Sequence, residues 1–494
     1  MTELERYFES FRRQTIGFDA AFDTPYGRKG LVYADWIASG RLYGPIEERM
    51  TELFGPMVGN THSGASVTGT TMTDAYHEAR EIIKRHVNAA PGDVLLACGS
   101  GMTAAVCKLQ RLLGLAVPDR LRSYVTLPEA VRPVVFVTHM EHHSNQTTWE
   151  ETLAEVVCLP PGDDGLVDPG TLRRAVARYP DRIKIGAFTA CSNVTGIRTP
   201  YHELARIMHE TGGLCFVDFA ANAPYDDIDM HPSHPAEKLD AIYFSPHKFL
   251  GGPGATGILI FDSALYGNAV PDHPGGGTVS WTNPWGGHSF LSDIEAREDG
   301  GTPGFLQTIR AALAVKVKEA MSPDRMRDRE HELLVRAFDG FRSIPGLVIL
   351  ADAHEERIGA VSFYVEGIHY NLIVKLLNDR YGVQVRGGCS CAGTYGHFLL
   401  HVDPTYSRSI TDRIDEGDLS EKPGWVRLSV HPMMTDAELQ HVIEGVREIV
   451  ENVDTWRTDY TYDSKVNEFR HRTDNGQLVS DSWFDLQPAV VAVD

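Results

Sequence analysis

The sequence predicts an α/β protein in which a large domain, built on a mostly parallel sheet covered by helices, precedes a smaller α+β domain. Three observations carry that expectation. Apolar runs of strand length alternate with helical patterns through the first two thirds of the chain. One β-α-β unit has readable ends. After about Met321 the pattern changes to long amphipathic segments around short strands.

In chain order, the strand-like runs are 94–97, 134–137, 183–188, 214–217, 241–244 and 257–261. Between the third and fourth lies a helix that Thr199 can cap, with Pro200 suited to its first position and Gly212-Gly213 to stop it. Repeated units of this kind imply ligands at the carboxyl ends of the strands. Amphipathic segments at 324–342 and 435–452 then surround short strands at 346–351, 359–365 and 424–430. The expected organisation is an N-terminal segment, 1–30, packing on the small domain; a large domain, 31–320; a small domain, 321–452; and an extension, 453–494. A helical stretch at 303–322 links the domains, and the polar extension reads as a docked arm or partly disordered chain.

Composition excludes several classes. With 42% hydrophobic and 23% charged residues over 494 positions, the chain is neither fibrous nor disordered. A net charge of -21 argues against a nucleic-acid or anionic-membrane partner, which a basic face would attract. The start, MTELERYFESFRRQTIGF, has mixed charge and no apolar run, unlike a targeting segment, and no run is of bilayer length. Seven scattered Cys suggest reduced cytoplasmic thiols, with Cys98, Cys107, Cys158, Cys191 and Cys215 in apolar runs expected to pack in the core.

The stretch YFSPHKFLGGPGATGILI, 243–260, sets Lys248 in a turn between two buried strands, after Ser245 and His247 and before four glycines. Such a Lys is either a solvated surface charge or, partly desolvated, a Schiff-base amine. Its neighbours at the strand ends bear on the choice. Run 94–97 leads into Gly99-Ser100-Gly101-Met102-Thr103 and a helix start, either a plain turn or a phosphate cradle of backbone NH groups. Run 214–217 ends at Asp218, a carboxylate that needs a partner: a helix cap, an ion pair, or a protonated pyridine nitrogen. Run 134–137 leads into Thr138-His139-Met140-Glu141-His142-His143-Ser144-Asn145. Tandem His project apart, so an imidazole stacked on a cofactor ring fits better than a metal site, and no metal is expected.

These pieces, with YADWIASG from Tyr33, SNVTG at 192–196, GGG at 275–277, GTP at 301–303, RGGCSCA at 386–392 and RLS at 427–429, resemble the class V aminotransferase superfamily of fold-type I pyridoxal phosphate (PLP) enzymes. The similarity runs to about Val450 and is nearest to group II cysteine desulfurases and selenocysteine lyases. The resemblance implies a seven-stranded, mostly parallel sheet in the large domain. It implies PLP held by Lys248, paired through Asp218, stacked by His142 and bound at its phosphate by Ser100, Gly101, Ser245 and His247, with Met102 also at the cofactor. Asn193 would lie near cofactor and substrate. Arg427, assisted by Arg386, would bind the carboxylate of an amino acid substrate. Thr302 would reach the phosphate of a neighbouring subunit, implying a homodimer.

Cys391 matches the nucleophile that accepts sulfur as a persulfide, for delivery to an acceptor protein; Cys389 is additional. The chain departs from the family pattern at Ala221, where a Gln is usual, and in an insertion at about 397–423 that could form a lid or a partner surface. The reading is therefore desulfuration of L-cysteine to alanine. The alternative is another reaction of the superfamily on an amino acid, as aminotransferase, C–S lyase or epimerase, without Cys391.

Overall fold

The computed structural model describes residues 1–473 and 483–484. Seven strands form the central sheet in the order Asp93–Cys98, Gly257–Asp262, Ala241–Phe244, Leu214–Asp218, Lys184–Thr189, Val134–Thr138, Glu155–Leu159. Only Gly257–Asp262 runs antiparallel to its neighbours. The strands from Val134 to Phe261 are almost wholly apolar, as burial of both sheet faces under helices requires. Their carboxyl ends converge where Thr138, Thr189, Asp218 and Ser245 emerge.

The helix between the third and fourth expected strands spans Tyr201–Glu210, and Gly212 follows at φ 70°. Its expected cap is corrected. Pro200 occupies the cap position with no side-chain bond, while Thr199 Oγ1 donates to the Thr189 carbonyl at 2.6 Å. The residue thus ties the helix entry to a strand end instead of satisfying helix NH groups. Cys98, Cys191 and Cys215 are buried, but Cys158 is exposed, because Glu155–Leu159 is an edge strand.

A second sheet orders Leu347–Ile349, Ala360–Val365, Trp425–Ser429 and Arg386–Gly388, all antiparallel. The helices Pro323–Arg342 and Asp436–Trp456 cover it, the latter opened by a Thr435–Glu438 capping box. The N-terminal helix Glu3–Gln14 is tied to this region by Thr2 to Glu332, at 3.1 Å, and Arg12 to Glu438, at 2.8 Å. Residues 397–423 hold the end of one short helix, Gly393–Leu399, and all of another, Pro404–Asp415. Beyond Trp456 a hairpin, Tyr460–Asp463 with Glu468–His471, is docked: Asn371 Nδ2 donates to the Asn467 carbonyl at 2.6 Å. The rest of the expected extension lies outside the described residues. No helix among the described residues is long and apolar enough to cross a membrane.

Candidate active site

Lys248, His142, Met102, Asn193, Asp218, Ser245 and His247, drawn from five separate stretches of sequence, line one cavity of about 190 Å³ with Ala221 and Cys191. Lys248 is set by a tight turn, Pro246–Lys248, whose packing leaves no room for a side chain at two glycines. A Cβ on Gly252 would overlap the Pro246 carbonyl, and one on Gly40 the carbonyl of Phe249. Burial pushes the Lys248 ammonium down to about 8; Asp218 opposes the shift and the Arg427 and Arg386 charges add to it.

Across the cavity, burial pushes the Asp218 carboxyl up to about 6, against a hydrogen bond from Ala220 N at 2.8 Å and the Lys248 charge. Burial, and then the Lys248 charge, hold His142 down at about 3. Its Nδ1 accepts from Ser144 N at 3.1 Å, capping the helix His143–Glu150, so the neutral ring carries its proton on Nε2. The helix Met102–Leu112 begins at Gly101 with no side-chain cap, and Ser245 Oγ accepts from Met102 N at 2.8 Å. A Cβ on Gly101 would come within 2.9 Å of that hydroxyl. Ser100 is exposed and outside the cavity lining. Thr302 also lies outside it, its hydroxyl on Asn60 at 3.3 Å.

Three residues that sequence reasoning passed over hold this wall together. Glu141, fully buried, accepts from Thr138 N and Oγ1 and from Thr189 N at 2.7 to 3.1 Å, joining two strand ends. Its other oxygen accepts from Asn145 Nδ2 at 2.8 Å, and Asn145 Oδ1 accepts from Tyr243 OH at 2.5 Å. Burial lifts the Glu141 carboxyl to about 7, opposed by those hydrogen bonds. The sequence signal was a Glu and an Asn flanking the His pair, whose partners Thr189 and Tyr243 lie far away in sequence.

Neither Arg386 nor Arg427 lines the lysine cavity; both stand on the smaller sheet, Arg386 along a neighbouring groove. Arg386 and Arg427 are direct cross-strand partners, and the fully buried Arg427 donates to the Asn193 carbonyl and to Asp35 Oδ1, both at 3.0 Å. Arg386 Nε reaches Asp35 Oδ2 at 3.1 Å. Asp35 was legible as the carboxylate of YADW, but its partners lie 351 and 392 positions away. Cys389 and Cys391 line a separate, neighbouring groove of about 890 Å³. Their loop is bound to the first wall by three bonds. His143 N donates to the Cys391 carbonyl at 2.7 Å, Gly393 N to His143 Nε2 at 2.9 Å, and Asn193 Nδ2 to the Ser390 carbonyl at 2.7 Å. The two histidines thus part, one to the cavity and one to the cysteine loop.

The donor set tests well against a pyridine aldehyde phosphate. An uncapped helix start with hydroxyls beside it could hold a phosphate, and a buried carboxylate stands ready for a pyridinium. Asn193 Oδ1 is buried with no hydrogen-bond partner among the described residues, an acceptor left over for a ligand.

Sheet order, lysine turn and buried carboxylate define an α/β protein with a lysine-centred cavity. The chain belongs to the aminotransferase class-V family, whose model matches residues 32–442, and members of this family are PLP-dependent enzymes of fold-type I. A probable cysteine desulfurase of Halalkalibacterium halodurans is 28% identical over 366 residues, covering 73% of this chain and 84% of the relative. Probable cysteine desulfurase 2 of Mycobacterium leprae is 28% identical over 394 residues, covering 79% and 90%. Among solved structures, a cysteine desulfurase from Thermococcus onnurineus NA1 superposes with a TM-score of 0.71 at 21% identity, covering 90% of this chain and 98% of that one. The Escherichia coli cysteine desulfurase CsdA gives 0.70 at 22%, with the same coverage.

Proposed function

We propose that this protein is a PLP-dependent cysteine desulfurase that converts L-cysteine to L-alanine and retains the sulfur on Cys391. The carrying observation is the loop 389–393, bound through the Cys391 carbonyl to His143 and through the Ser390 carbonyl to Asn193 of the lysine cavity, with Cys391 beside the Arg386 charge. The names of the relatives support the same reading.

Lys248, Asp218, His142, Asn193, Ser245, His247, Gly101 and Met102 would hold the cofactor. Bound there, PLP supplies an electron sink for the substrate's α-carbon. Arg427 and Arg386 orient the substrate by its α-carboxylate. The Lys248 amine, whose affinity for protons burial has weakened, takes the Cα proton and returns a proton when alanine forms. The Cys391 thiolate attacks the substrate sulfur, so that an S–S bond forms as the Cβ–S bond breaks. L-cysteine and the enzyme thiol become L-alanine and the enzyme persulfide, and a separate acceptor protein removes the sulfur.

We read the protein as a homodimer. Thr302 stands away from the cavity of its own chain, and Trp281 and Trp285 are exposed near it in sequence, a surface suited to a second copy. We assign it to the cytoplasm, since all seven cysteines are free thiols.

A second reading, an aminotransferase, C–S lyase or epimerase without Cys391, is favoured by one observation: neither Cys389 nor Cys391 lines the cavity around Lys248. Incubating the holoenzyme with a panel of amino acids and following sulfide, alanine and keto acid separates the two. Alanine with sulfide from cysteine supports desulfuration; a keto acid without sulfide replaces it with transamination.

A further inference from the structure

Cys389 and Cys391 lie two residues apart, and the chain between them folds back on itself. Ala392 N donates to the Cys389 carbonyl at 3.1 Å, closing a turn whose central residues, Ser390 and Cys391, both have positive φ, the pattern of a type I′ turn. Fully extended, such a pair would stand no more than about 7 Å apart at Cα. The turn shortens that span into the range in which two cysteine sulfurs meet.

Both thiols line the groove of about 890 Å³, yet their settings differ. Cys391 is exposed, beside the Arg386 charge. Cys389 is half-buried, packed against the apolar core and near the Tyr370 hydroxyl. That hydroxyl accepts from Asn467 Nδ2 at 2.7 Å and donates to the Lys422 carbonyl at 3.2 Å. Asn467 belongs to the terminal hairpin, beyond the residues 32–442 that the family model matches, and Lys422 to the insertion. Cys389 therefore sits where two additions to the chain meet. Between the thiols, Ser390 Oγ is buried with no hydrogen-bond partner among the described residues, a donor left over for a sulfur anion.

We propose that Cys389 is a second sulfur carrier, which takes the outer sulfur from a Cys391 persulfide and holds it in the groove. This rests on the reading of Cys391 as the first acceptor. The Cys389 thiolate attacks the outer sulfur of the persulfide; an S–S bond forms on Cys389 as the S–S bond on Cys391 breaks, and Cys391 leaves as a thiolate. The proton stays on the transferred sulfur, and no oxidant or reductant is consumed. Cys391 is freed for the next substrate while the first sulfur waits on the less exposed residue.

The test exposes the holoenzyme briefly to L-cysteine with no sulfur acceptor, stops it with an alkylating agent, counts the alanine formed and places the sulfur by tandem mass spectrometry. The wild type is expected to form about two molecules of alanine per chain in its burst and to carry sulfur on both cysteines. Cys389→Ser should lower the burst about twofold and carry sulfur on Cys391 alone. Cys391→Ser should load neither position, because Cys389 is filled only from Cys391. If the wild type carries sulfur on Cys391 alone, whether as one atom or as a longer chain, this assignment is lost and the functional reading stands. If Cys391→Ser still loads Cys389, that residue takes sulfur directly from the substrate and the relay is overturned. The placement of sulfur in the wild type decides the matter even where a variant fails to fold. If the wild type turns over cysteine with no sulfur on either residue, the functional reading falls with the proposal.

Discussion

Lys248 sits in a turn packed so closely that glycine is required at 252, whereas Cys391 sits in a loop tied down by bonds to residues 197 to 250 positions away in sequence. The first wall of the site is over-determined. Strand ends, the Glu141 carboxylate and a steric lock each place the lysine and its surroundings. The second wall is conditional. Ser390 and Cys391 both adopt positive φ, 53° and 55°, without being glycine, a conformation that persists only while surrounding contacts hold it. The difference suits the chemistry proposed for Lys248 and Cys391. Proton transfer at a fixed carbon needs a rigid amine, while a thiol that takes sulfur and then hands it on must face two sites in turn.

The largest effect that could break this comparison comes from the rigid wall. Lys248→Ala should cut turnover by at least about 10⁴-fold and abolish covalent cofactor attachment, while thermal unfolding stays cooperative. Activity near the wild-type level would remove the lysine from the mechanism. Next, Cys391→Ala should lower sulfide release about 10²-fold or more but leave cofactor absorbance and amino acid binding intact. Mass spectrometry of the wild type after brief exposure to cysteine should find the added sulfur on Cys391. Full turnover by this variant would merge the two walls into one and favour the second reading.

A pH profile sharpens the account of the lysine. Attachment of PLP to the cofactor-free protein needs the neutral amine. Because burial lowers the Lys248 ammonium to about 8, the attachment rate should climb with pH, reach half its maximum near 8 and then level off. A rate that keeps rising toward the ordinary lysine value of 10.5 would mean that the side chain is solvated. The smallest effect lies in the conditional wall. His143→Ala removes the acceptor for Gly393 N, and losing roughly 1 kcal/mol of restraint should speed alkylation of Cys391 about fivefold with no change in the cofactor spectrum. An unchanged alkylation rate would show that the loop does not depend on that bond.

Much of the rigid wall was legible in the sequence, for a local reason. A strand's end, the turn after it and the helix start after that are contiguous, so apolar runs ending in Asp218, Ser245 or Thr138 announced both the sheet and the residues at its edge. Gly252 belongs to the same signal, since a side chain there would meet the carbonyls of Pro246 and Phe249, whereas Gly251 and Gly257 are crowded by Ile46 and Gly101, far away in sequence. Cys158 shows where such reasoning stops. An apolar run predicts a strand, but only strand order decides that this strand is at the edge and its thiol exposed.

By itself, then, the sequence determined the α/β class and the run of strands, which follow from short-range periodicity, and through its resemblance to a family it named Met102, His142, Asn193, Asp218, Ser245, His247 and Lys248 among the side chains that line the lysine cavity. Tertiary structure alone decided that Asp35 neutralises two arginines, that His143 serves the cysteine loop while His142 serves the cavity, and that Cys391 borders a second groove. Each of those depends on a hydrogen bond or ion pair between residues hundreds of positions apart. Such a bond forms only when distant stretches of the chain are packed together, and no local pattern encodes which partner will be waiting there.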